Sequence, residues 1–137
     1  MPRIIAIDYG MKRTGIAVTD ELQIIATALD TVETSKLMEF LAQYIPQNNV
    51  AEMVVGLPIR MHGEVGQLET EIQKFIHRVM AKFPTLPIHR QDESFTSKMA
   101  SQTIFMSGAK KKKRQDKALI DKVSATIILQ SYMDSRL

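Results

Sequence analysis

The stretch Arg3-Ile4-Ile5-Ala6-Ile7-Asp8-Tyr9-Gly10 decides the fold. Its apolar, β-branched run closed by a glycine reads as a central strand buried on both faces, and Asp8 lies inside that pattern. After the polar stretch Met11-Lys12-Arg13, the residues Thr14-Gly15-Ile16-Ala17-Val18-Thr19 read as a second strand. Asp20-Glu21 then make a turn, and Gln23 to Leu29 a third strand. Connections this short force antiparallel pairing, so the three strands form a meander.

Beyond the meander the period changes. Leu37, Met38, Leu41 and Ile45 recur at helical spacing, with Thr34 or Ser35 as N-cap and Pro46 as the stop. Met53 to Leu57 is a short apolar strand closed by Pro58, and a loop around His62-Gly63 follows. A longer helix then carries Leu68, Ile72, Phe75, Ile76, Val79 and Phe83 on one face, with Glu69, Glu71, Lys74 and Arg78 off it. Leu86 to Arg90 reads as a fifth strand that runs into Gln91-Asp92-Glu93-Ser94. A helix over about Thr96 to Met106 stops at Gly108. A last helix runs from Leu119 to Tyr132 on Ile120, Val123, Ile127 and Ile128. Strands joined by helical crossovers pair in parallel. The expected fold class is therefore α/β: a mixed five-stranded sheet, three antiparallel N-terminal strands and two parallel ones, flanked by helices.

The 137 residues suffice for one domain, expected over 1–137. A hydrophobic fraction of 45% with 24% charged residues is ordinary globular usage. No apolar run is long enough to span a membrane and no signal-like segment opens the chain, so a cytoplasmic location is expected. Without cysteine there is no disulfide, thiolate metal site or cysteine nucleophile, and any metal must sit on oxygen or histidine. The net charge of +3 is uneven. Residues 108–122, with Lys110, Lys111, Lys112, Lys113, Arg114, Lys117 and Lys122 against Asp116 and Asp121, carry +5, and the remainder carries −2. Such a patch either attracts a polyanion or is simply a solvated loop.

Asp8 is the most informative residue. A carboxylate within an apolar strand carries a desolvation cost that must be compensated, by backbone amides, by Arg13, or by a divalent cation. A cation requires further acids, and the sequence offers Asp92-Glu93 where the fifth strand ends and Asp121 near the start of the last helix. The small Ser124 and Ala125, three and four residues after Asp121, would let that helix approach the sheet. Carboxylates converging there suit two-metal phosphodiester hydrolysis. His62, His77 and His89 have no ligand-pair spacing, which argues against zinc.

These residues carry a resemblance. Asp8-Tyr9-Gly10 with Arg13-Thr14-Gly15-Ile16-Ala17, Gly56-Leu57-Pro58 with Gly63 and Gly66, Asp92-Glu93 with Thr96, and Asp121 with Ala125 and Ile128-Leu129 are, in order, similar to the YqgF/RuvX family. The resemblance spans nearly the whole chain. It implies an RNase H-like fold and a nuclease, acting in 5′-end maturation of pre-16S ribosomal RNA or as a Holliday junction resolvase on four-way DNA junctions. It implies Asp8, Glu93 and Asp121 as catalytic metal ligands for Mg2+ or Mn2+, two ions, with Asp92 a lesser candidate. The family's usual Arg after the Asp-Glu pair is Ser94 here, which removes a bidentate phosphate contact. Arg90 is a candidate to replace it.

Lys12, Arg13, Lys110, Lys111, Lys112, Lys113 and Arg114 are the expected nucleic-acid contacts. The expected partners are structured RNA, with a DNA junction second, and the assembling small ribosomal subunit. A monomer or weak dimer is expected, with no membrane. Two rivals remain: a non-catalytic nucleic-acid-binding module that keeps the fold, and an actin-like ATPase, which Asp-x-Gly resembles but which would need a second such domain. Retention of three acids argues against the first, and the length and lack of a P-loop against the second.

Overall fold

The computed structural model describes residues 2–58, 66–92 and 117–136, with the backbone alone for residues 117–122. The expected helix over Thr96–Met106, the basic run Lys110–Arg114, Glu93, Ser94 and the His62-Gly63 loop lie outside the described residues.

β1 (Arg3–Asp8), β2 (Arg13–Thr19) and β3 (Ala26–Glu33) form the expected meander. A 3-10 turn at Thr34–Lys36 leads into α1 (Leu37–Gln47), β4 (Val50–Leu57), α2 (Gln67–Lys82), β5 (Ile88–Asp92) and α3 (Lys117–Asp134). The sheet order is β3-β2-β1-β4-β5. β1 pairs antiparallel with β2 and parallel with β4, and β4 pairs parallel with β5. β1 is thus the central strand, as its unbroken apolar run requires.

Strand alternation divides the core in two. Ile5, Ile7, Ile16, Met53 and Val55 pack with Leu37 and Leu41 of α1 and Ile72, Phe75 and Val79 of α2. Ile4, Ala6, Ala17 and Val54 point the other way, onto Ala125, Ile128, Leu129 and Tyr132 of α3.

Several boundaries differ from the sequence reading, each for a local reason. β3 begins at Ala26 because the Asp20 carboxylate accepts the Ile24 and Ile25 N–H groups, both at 2.8 Å, and keeps residues 20–25 as a turn. Those bonds, Ile25's first, hold the Asp20 carboxyl below its usual range. Neither Thr34 nor Ser35 caps α1 through its side chain, since the Thr34 hydroxyl is bonded to the Gly10 carbonyl instead. Pro46 sits inside the last turn of α1. β4 starts at Val50 and β5 at Ile88. On α3 the stripe against the sheet is Ser124, Ala125, Ile128, Leu129 and Tyr132, with Val123 and Ile127 only half-buried. Glu69, expected off the apolar face, is 5% exposed.

Candidate active site at the carboxyl edge of the sheet

Asp8 ends β1 and shares the parity of Ile4 and Ala6, so it is the last residue of the row facing α3. It is half-buried, and its partner across the ladder is Gly15, which sets no side chain beside the carboxylate. The residues around Asp8 are anchored. Tyr9 is buried on the opposite face and packs on Phe75 with ring centroids 5.3 Å apart. At Gly10 a Cβ would overlap the Arg13 carbonyl oxygen, so the return into β2 requires glycine.

Thr34 clamps the same turn from β3's side. Its N–H donates to the Lys12 carbonyl at 2.9 Å, and its hydroxyl donates to the Gly10 carbonyl at 2.6 Å. Its single hydroxyl proton being so used, the buried Thr14 hydroxyl donates to Thr34 Oγ1 at 2.9 Å. Lys12, exposed on this turn, and Arg13, at the start of β2, therefore stand at Asp8's end of the sheet on an ordered backbone.

α3 is fixed at the opposite edge. The Tyr132 hydroxyl and Arg136 Nη1 both donate to Glu52 Oε1, each at 2.7 Å, and Glu52 registers with Ile4 near the start of β1. From Tyr132 back to residue 121 a helix rises about 16 Å, and from Ile4 to Asp8 a strand advances about 13 Å. The backbone of residue 121 thus lies about level with the Asp8 end of β1. It is one turn before Ala125 and two before Ile128, both buried against the sheet.

The sequence-selected acids divide accordingly. Asp8 and the backbone position of Asp121 come to one end of the α3 face, while the Asp121 carboxylate and all of Glu93 are outside the described residues. Asp92 is on the other side. Ile88 packs with the α1–α2 core, Arg90 bonds α2, and Asp92 has their parity, with Leu57 as its ladder partner. His89, of opposite parity, packs on Tyr132 at 5.4 Å between centroids. Among the described residues no group of three His, Asp or Glu side chains surrounds a metal position. The donors of the candidate set are all carboxylate oxygens, which fits a hard cation such as Mg2+ or Mn2+ and does not suit zinc.

Arg90 does not replace the missing phosphate-binding arginine. Its guanidinium makes a bidentate pair with Glu69, Nη1 to Oε2 at 2.9 Å and Nη2 to Oε1 at 2.7 Å. It also donates to the Val55 and Gly56 carbonyls at 3.2 and 2.9 Å. The sequence reading missed Glu69, although the signal was present: residues 69, 72, 76 and 79 form one helical stripe. It also missed the Thr34 clamp, whose contact with Gly10 spans 24 residues and has no local signature.

The family model described as "RuvX: Holliday junction resolvase" matches residues 2–135. A Christiangramia forsetii protein named "Putative pre-16S rRNA nuclease" is 53% identical over 133 residues, 97% of this chain and 98% of its own length. Proteins of the same name from Flavobacterium psychrophilum and Porphyromonas gingivalis are 50% and 52% identical, covering 100% and 98% of both chains respectively. In fold the chain is similar to Thermus thermophilus RuvC in complex with a Holliday junction substrate, with a TM-score of 0.59 at 16% identity over 99% of this chain and 96% of that one. The fowlpox virus Holliday junction resolvase gives 0.55 at 13% identity, over 97% and 99% of the two chains. The near-complete family match, the three full-length relatives and the shared RuvC-like sheet together make this chain a member of the RuvX family.

Proposed function

We propose that the chain is a single-domain, metal-dependent nuclease that hydrolyses phosphodiester bonds in structured RNA, acting at the 5′ end of pre-16S ribosomal RNA. The observation that carries this reading is the position of Asp8, a half-buried carboxylate ending the central strand on the face that α3 covers. Family membership supports nuclease chemistry, and the names of the relatives support the RNA substrate.

Asp8, Glu93 and Asp121 are the proposed ligands of two Mg2+ or Mn2+ ions. Such ions supply water activation and charge neutralisation at the scissile phosphate. The protein's part is to hold the carboxylates still. β1 and the Gly10 turn fix Asp8, β5 leads into Glu93, and the close contact of Ser124 and Ala125 with the sheet brings in the start of α3. Asp92 has the parity of the other face and is the weaker candidate. Lys12 and Arg13 orient the nucleic acid through its phosphates, and Lys110, Lys111, Lys112, Lys113 and Arg114 are proposed as further phosphate contacts. Binding to the assembling small subunit, a cytoplasmic location and a monomeric or weakly dimeric state belong to the same reading. Among the described residues no helix is long and apolar enough to cross a membrane.

The second reading is resolution of four-way DNA junctions, favoured by the family description and supported in fold by the RuvC likeness. The two separate by incubating the protein with a 5′-extended 16S precursor fragment and with a four-way DNA junction, each with Mg2+, Mn2+ or chelator. Metal-dependent cutting of the RNA fragment is the expected result. Preferential cutting of the junction selects resolution, and binding without cutting under every condition selects a non-catalytic module.

A further inference from the structure

Arg90 and Glu69 form a largely buried ion pair that the acid site does not itself use. Beyond the bidentate contact, Glu69 Oε2 also accepts from Gln73 Nε2 at 2.7 Å, so the carboxylate is held from within α2 while it holds Arg90. One guanidinium thereby ties together the end of β4, through the Val55 and Gly56 carbonyls, the middle of β5, and the first turn of α2. As a source of stability such a pair is inefficient, because the desolvation of two charges offsets most of their attraction, and apolar residues of equal volume often serve as well. What the planar fork supplies and apolar packing does not is a fixed direction and distance.

The ladders show where that precision falls. Pairing of β1 with β4 stops at Ile7↔Val55, whereas pairing of β4 with β5 continues to Leu57↔Asp92. Asp8 therefore stands one residue beyond the last β1–β4 pair. Gly56 is the residue of β4 level with Asp8 and pairs on to Gln91 of β5, and the carbonyls that Arg90 holds are those of Gly56 and of Val55 before it. We propose that Arg90, oriented by Glu69, is a positioning residue that fixes the separation of the β1 and β5 ends and so the affinity of the carboxylate site for its metal. This rests on the reading of that edge as the metal-dependent centre.

The test uses the full chain with Arg90→Lys, Glu69→Gln and the double variant Arg90→Met with Glu69→Met. Mn2+ affinity is measured by calorimetry without substrate. Thermal midpoint, kcat, KM for the substrate that is cut, and the salt dependence of binding are measured alongside. Arg90→Lys keeps the charge and loses the fork. It should weaken Mn2+ binding about 10–100-fold, as loss of a group supporting metal ligands does, and lower kcat in step while KM and the salt slope stay unchanged. The double variant leaves no unpaired buried charge. It should keep the wild-type midpoint and still lose Mn2+ affinity, a result that a purely structural pair would not give.

Wild-type Mn2+ affinity and kcat in the double variant overturn the proposal. So does a change confined to KM and salt slope, which would make Arg90 a phosphate contact. If the wild type neither binds Mn2+ nor cuts nucleic acid, the nuclease reading fails and the proposal with it. Wild-type activity that survives every substitution overturns the proposal alone.

Discussion

The two faces of the sheet are built from different residues. On the side of α1 and α2, Ile5, Ile7, Ile16, Met53 and Val55 meet Leu37, Leu41, Ile72, Phe75 and Val79, a thick layer of large side chains. On the side of α3 the strands contribute Ala6 and Ala17 beside Ile4 and Val54, and the helix presents Ser124 and Ala125 ahead of Ile128 and Leu129. Large interdigitating residues maximise buried apolar area, while small ones let a helix backbone approach the sheet. The row Ile4, Ala6, Asp8 belongs to the second face, so the half-buried carboxylate is where the packing is thin. One face supplies stability, and the other trades apolar area for close approach at a polar site.

If that division is right, substitutions on the two faces should fail differently. Phe75→Ala, in the thick layer, should cost about 3–5 kcal/mol and lower the thermal midpoint by roughly 10–20 °C. The upward shift of the midpoint on adding Mn2+ should survive it. Ala125→Leu, on the thin face, should cost only about 1–3 kcal/mol by overpacking, yet abolish the Mn2+-induced shift because α3 is pushed off the sheet. A Phe75→Ala protein that loses the metal response, or an Ala125→Leu protein that keeps it, would break the comparison.

Two smaller effects sharpen it. Thr34→Val removes the hydroxyl that accepts from Thr14 and donates to Gly10, and should cost about 1 kcal/mol, read as a lower urea midpoint at an unchanged slope. Tyr132→Phe tests the anchor of α3. Burial first, and the bond to Glu52 second, push the Tyr132 hydroxyl up to about 12. A group whose pKa is raised on folding contributes stability that is complete below its unfolded value near 10 and is lost as pH rises through the folded one. Wild-type stability should therefore fall between about pH 10 and 12 more steeply than that of Tyr132→Phe, as alkaline unfolding curves would show.

The contrast also explains what the sequence could and could not reveal. The meander, the parallel additions and the places of Asp8 and Asp121 follow from short-range periods, which is why Arg3 to Thr19 sufficed to establish the centre of the sheet. β3 starts later than its sequence suggests because Ile24 and Ile25 look like strand residues, whereas their amides are taken by the Asp20 carboxylate. The stripe of α3 is displaced from the one its apolar spacing suggests because small Ser124 and Ala125 belong to the buried face with Ile128, Leu129 and Tyr132, while the apolar Val123 and Ile127 beside it are only half-buried. Glu69 is legible in its helical phase, although its charge points to the solvent side. Its partner Arg90, 21 residues away, could not be known without the fold.

The most direct measurement compares wild type with Asp8→Asn by thermal unfolding in chelator and in rising Mn2+, with cleavage assayed in parallel. The expected result is a wild-type midpoint that climbs with Mn2+ and an Asp8→Asn midpoint that does not, since a ligand stabilises only the state that binds it. Cleavage by Asp8→Asn should fall by more than about 100-fold. An equal Mn2+ response in both proteins would make Asp8 a structural carboxylate and contradict the assignment of chemistry to the α3 face.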